Sequence, residues 1–155
     1  MTFKQLYNKN NPKYNGASKY CVVVSSKAYT DKKLLSFYIR TTRTKSRGKN
    51  IVHIQLKTPL MALRKIIRKS DESILLKDCD VRVRCTCEAF KYWGAHYNLS
   101  RDSLVIGKKE KIPPLVRDPN STMTVCKHIA RVYKVYANTP IYKLFNPNIL
   151  IGLQK

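Results

Sequence analysis

The sequence predicts an α+β fold: a small antiparallel sheet with a basic hairpin, one amphipathic helix, and a C-terminal unit of strand and helix. Three observations predict it. β-Branched runs recur between residues 19 and 57 and are broken by basic, polar turns. Apolar residues repeat at helical spacing over 59–69. A valine/arginine alternation at 81–84 then returns to strand and runs into a pair of cysteines one residue apart.

Residues 1–19 are polar, basic and rich in Asn, with Pro12 and Gly16 as breakers, and predict an extended basic arm without its own core. A single domain follows over 20–140. "KYCVVVSSKAY" (19–29) reads as a strand, and two more are expected at about 34–42 and 50–57, joined by a basic loop with Gly48 and Asn50. In the last of these, Val52, Ile54 and Leu56 face one side, and Ile51, His53 and Gln55 the other. Thr58 is placed to cap the next helix and Pro59 to open it, with Leu60, Leu63 and Ile67 on one stripe. Arg64, Lys65, Arg68 and Lys69 occupy its remaining surface.

The strand in "DCDVRVRCTCEAF" presents Val81, Val83, Cys85 and Cys87 on one face and Arg82, Arg84, Thr86 and Glu88 on the other. Residues 98–125, with Gly107 and "IPPLVRDPN", read as a long loop. "TVCKHIARVYKVYA" restores a helix with Ile129, Val132, Tyr133 and Tyr136 as its apolar stripe. The tail 141–155 is apolar enough to pack back on the body or dock on a partner.

Charge is the outlying property. The 155 residues hold 31 Lys+Arg against 9 Asp+Glu, a formal net charge of +22. Such an excess seeks polyanions: nucleic acid, an anionic membrane or an acidic protein surface. Between Asp31 and Asp71 stand 12 Lys or Arg and no acid. The expected polyanion contacts are therefore Arg40, Arg43, Lys45, Arg47 and Lys49 on the hairpin loop, with Arg64, Lys65, Arg68 and Lys69 on the helix. An ordinary solvated turn mixes signs, and this loop does not. No run of 18 apolar residues exists, so no membrane partner is expected, and the N-terminus lacks the apolar core of a signal peptide. A reducing, cytoplasmic setting is expected, where cysteines bind metal or pack.

Cys85 and Cys87 are poor candidates for a disulfide, since strand neighbours two apart share a face without reaching bonding distance. Downstream, Cys126 and His128 supply two further ligands. Three thiolates and one imidazole form a closed tetrahedral set for Zn²⁺, with no open position for water, so the ion is expected to be structural. Residues two apart on a helix diverge by roughly 200°. Cys126 is therefore expected at the turn before the helix, with His128 in its first turn.

The pattern Cys85-x-Cys87 followed by Cys126-x-His128, with a strand before and a helix after, resembles the SWIM-type zinc finger, C-x-C then C-x-H on a ββα scaffold. The likeness covers about 81–136, with a spacer of 38 residues between the two pairs. "CTCEAFKYWGA", the Arg-Asp-Pro before the second pair, and "CKHI" are similar to the SWIM-type proteins of tailed bacteriophages. That likeness implies a virion protein assembled in the host cytoplasm.

Other candidates read as packing. Cys21 sits in an apolar strand, and Cys79 lies about 20 Å from Cys85 in an extended chain, too far for one site. His53 and His96 show no partner. Phe90, Tyr92, Trp93 and Tyr97 are expected to pack around the metal unit rather than stack bases. No nucleophile elbow or phosphate-cradling loop is present, so no enzyme is expected. The leading expectation is a non-enzymatic, zinc-stabilised assembly protein, a phage virion component whose basic surface meets acidic protein faces or packaged genome. The alternative is a zinc-finger nucleic-acid-binding protein acting on DNA or RNA outside the virion.

Overall fold

The structure is a computed structural model and describes residues 1–42, 49–92 and 124–146, with the backbone alone at 91 and 92. The fold is α+β, as the patterns predict. Strands β1 (Cys21–Tyr29), β2 (Leu34–Thr41), β3 (Asn50–Leu56) and β4 (Val81–Cys85) form an antiparallel sheet in sequence order. Around it stand α1 (Phe3–Lys9), α2 (Pro12–Ala17), α3 (Leu60–Lys69), α4 (Glu88–Tyr92), α5 (Lys127–Tyr136) and α6 (Ile141–Leu144).

The register explains where the core lies. Phe37, Val52 and Cys85 oppose one another in one cross-strand row, and Leu35, Ile54 and Val83 in the next. All six are buried. Because the strand period is two, one register places every one of these apolar side chains on the same face. A bulge between Val23 and Ser25 resets β1 so that Val23 and Ala28 pack against this face. The turn from β1 to β2 closes through Lys33, which adopts left-handed geometry at φ 53.

Helix α5 lies against β1, β3 and β4 on this core face, with Ile129, Val132 and Tyr136 buried and Tyr133 partly so. The expected apolar stripe is the one observed. Helix α3 is more peripheral: Leu63 is buried, Leu60 and Ile67 partly. Its start differs from the expectation. Pro59, extended at ψ 143, occupies the N-cap, and no side chain caps the helix, so Thr58 does not act there.

Residues 1–19 are not an extended arm. Thr2 and Gln5 close a capping box on α1, the Thr2 hydroxyl accepting from the Gln5 amide at 3.2 Å and the Gln5 carboxamide oxygen from the Thr2 amide at 2.8 Å. Asn11 caps α2, and Pro12 fills its first turn, where a missing N–H costs nothing. Phe3 and Leu6 are fully buried. Phe3 meets Tyr133 edge-on at 5.1 Å between centroids, and Tyr7 stacks on the same ring at 4.1 Å. Composition suggested an arm, but two local caps and three aromatic or aliphatic anchors make this segment part of the body.

The C-terminal tail begins by packing back, with Ile141, Leu144 and Phe145 buried and the Ile141 amide donating to the Ile74 carbonyl at 2.9 Å. The rest of the tail, 147–155, and residues 98–123 of the loop expected at 98–125 lie outside the described residues.

Candidate metal centre

The side chains of Cys85, Cys87, Cys126 and His128 converge, with their ligand atoms all within 4.8 Å of one another, and all four residues are buried. Cys85 is the last residue of β4, held on the core face by its pairing with Val52. The burial alternation runs on to Cys87 although the strand has ended. Cys87 instead stands just before α4, where the Phe90 amide donates to its sulfur at 3.4 Å. Cys126 is the N-cap of α5 in extended geometry, and His128 lies in the first turn. The expected division between turn and helix is thus the one found.

The donor set fits a tetrahedral ion. His128 Nδ1 lies 3.7 Å from the Cys85 sulfur and 3.9 Å from the Cys126 sulfur. The edge of a tetrahedron with Zn–S and Zn–N bonds of ordinary length is about 3.6 Å. Burial pushes the Cys85 and Cys126 thiols up, whereas hydrogen bonds from Cys126, then Cys85, hold Cys87 well below the ordinary thiol range. One thiolate is therefore favoured by the cluster itself, and the N-terminus of α5 adds its positive end beside the sulfurs. A bound cation would replace the shared protons and hold all three sulfurs as thiolates.

The back of the imidazole is also occupied. His128 Nε2 lies 3.2 Å from the Thr41 hydroxyl and 3.4 Å from the Asn50 carboxamide. Thr41 ends β2 and Asn50 begins β3, so the Cys/His cluster sits beside the ends of the two strands that the basic loop joins. No sequence signal marked these two residues, because the first lies 87 and the second 78 positions from His128. A further support reaches the ligands from α1: the side-chain oxygen of buried Asn10 accepts from the Thr124 amide at 2.9 Å and the Val125 amide at 3.1 Å.

The remaining cysteines pack. Cys21 is fully buried, with its thiol pushed up by burial. Cys79 donates to the Leu75 carbonyl at 3.3 Å, and burial with the nearby Asp78 and Asp80 pushes its thiol up to about 11. His53 does have a partner, the Ser36 hydroxyl at 2.9 Å from Nδ1. Phe90 is buried beside the cluster, and His96, Trp93 and Tyr97 lie outside the described residues.

The polyanion candidates separate into two groups. Arg40 is exposed on β2 and Lys49 at the entry to β3, while Arg43, Lys45 and Arg47 lie outside the described residues. Arg64, Lys65, Arg68 and Lys69 are exposed on α3 and line one open concavity with Met61 and Ala62. Arg64 is also paired with Asp31 at 2.9 Å. Compared with family models, curated proteins and solved structures, the chain finds no match.

Proposed function

We propose that this chain is a non-enzymatic nucleic-acid-binding module, built on a structural zinc centre of the SWIM type. Three thiolates with one imidazole suit Zn²⁺ in a closed tetrahedral site. With three thiolates and one Zn²⁺ the centre carries about −1, so the polyanion argument is unchanged. The observation that carries the reading is charge: 31 cations against 9 carboxylates, with none of the carboxylates between Asp31 and Asp71. The centre's role is then to hold the base of the basic hairpin, through Thr41 and Asn50, in one geometry.

Titration of labelled DNA and RNA oligonucleotides over a range of salt tests the reading. If about six phosphates are neutralised, log K falls against log salt with a slope near −5. Absent or salt-insensitive binding rejects it.

A second reading, a virion component whose basic surface contacts acidic protein faces or packaged genome, is supported by the phage-like residues around the ligand pairs. Residues 3–17 fold onto the body, so they do not form a free arm that could reach a neighbouring subunit. Mass spectrometry of purified particles decides this reading, since absence from the particle excludes it.

A further inference from the structure

We propose that the outer face of the sheet, opposite the core, is a platform for single-stranded nucleic acid; the inference rests on the nucleic-acid reading above and names its surface and substrate form. None of the four strands contains an Asp or Glu. The residues that alternate with the buried set are exposed or half-exposed, apart from Ser36. Among them are four cations, Lys27, Arg40, Arg82 and Arg84, and two tyrosines, Tyr29 and Tyr38.

The register sets these groups out in order. Tyr29, Leu34, Gln55 and Arg82 form one cross-strand row, and Lys27, Ser36, His53 and Arg84 the next. Tyr38, opposite Ser25 and Ile51, stands in the third row, and Arg40 in the fourth. Rows on one face are about 7 Å apart, so the two rings stand about 14 Å apart along the strands with the Lys27 row between them. Cations therefore flank and separate aromatic rings on strands that contribute no carboxylate.

That combination selects among polyanions. A duplex hides the faces of its bases and would offer the sheet only phosphate and sugar, leaving the rings uncovered. An acidic protein surface would meet the cations but has no need of flat rings between them. An unpaired strand presents both a charged backbone and base faces that stack on aromatics. The sheet width, four strands about 4.8 Å apart, suits a short run of nucleotides.

The experiment is fluorescence anisotropy on the zinc-loaded full chain, with labelled oligo(dT) and oligo(rU) of about 12 nucleotides and a DNA duplex of the same length. Either single strand should bind more tightly than the duplex. Changing Tyr29→Ala and Tyr38→Ala together should weaken that binding by about tenfold or more, while Tyr29→Phe with Tyr38→Phe stays within about twofold. Arg82→Ala with Arg84→Ala should lower the salt slope by about 1.4. Photo-crosslinking of the unmodified chain to iodouracil-substituted strand should mark peptides from β1, β2 and β4, and needs no variant to fold. Preference for duplex, retention of binding by the alanine pair, or crosslinks confined to α3 overturns the platform while leaving nucleic-acid binding intact. Absence of binding to any of the three probes overturns the nucleic-acid reading itself.

Discussion

The Thr41 hydroxyl and His128 Nε2 lie 3.2 Å apart, joining the end of the second strand to the first turn of the helix that presents His128 to the Cys/His cluster. If Nδ1 takes the metal, Nε2 bears the proton and donates to Thr41, which fixes both the tautomer and the ring orientation. Thr41→Val keeps the shape and removes the acceptor. Zinc affinity should fall about 10- to 100-fold, as read by competition with a chromophoric chelator. Unchanged affinity would show that the contact does not orient the ligand.

Metal removal should unfold at least the C-terminal half. Comparable zinc sites contribute on the order of 10 to 16 kcal/mol of apparent binding energy, against a net stability of about 5 to 15 kcal/mol for ordinary domains. A strong chelator should therefore abolish near-ultraviolet circular dichroism, and Cys85→Ser should behave as the chelated protein does. Cys79→Ala should retain one zinc per chain, because its sulfur bonds to the Leu75 carbonyl and not to the cluster.

Asn10 links the N-terminal helices to the residues leading into Cys126 of the Cys/His cluster. Its substitution by Ala would strip the Thr124 and Val125 amides of their acceptor. A buried donor left unsatisfied costs about 1 to 3 kcal/mol. Urea unfolding of the zinc-loaded protein should show a loss of that size, with a lower metal affinity as well, since those two residues lead directly into Cys126. A loss of stability with no change in metal affinity would separate the two effects.

His53 supplies the pH prediction. Burial, and then the Arg84 cation beside it, hold its pKa below the ordinary 6.5. The folded state therefore takes up fewer protons than the unfolded one, and this contribution to stability is present above about pH 6.5 and lost as pH falls through the folded value. A proton-resolved NMR titration should place the His53 midpoint below 6.5. A midpoint at or above that value removes this part of the acid sensitivity, and His53→Gln should flatten it.

Local periodicity made much of this protein legible. The alternation in β3 assigned Val52, Ile54 and Leu56 to the core, and the same period brought Cys85 and Cys87 to one side. The α5 stripe and the position of Cys126 at its N-cap follow from helical geometry in the same way. Residues 1–19 were harder, because Asn and Lys dominate their composition while the capping pattern from Thr2 to Gln5 and the pair Asn11-Pro12 carry the helical signal.

The sequence by itself determined the strands, their apolar faces and the two pairs Cys85/Cys87 and Cys126/His128, since each depends on residues a few positions apart. Tertiary structure alone decided that Thr41 and Asn50 close the back of His128, that Asn10 supports the approach to Cys126, and that the N-terminal helices belong to the core. Those contacts join residues 78 to 115 positions apart. No local pattern encodes them, because they form only when packing of the whole chain brings the partners within hydrogen-bonding reach.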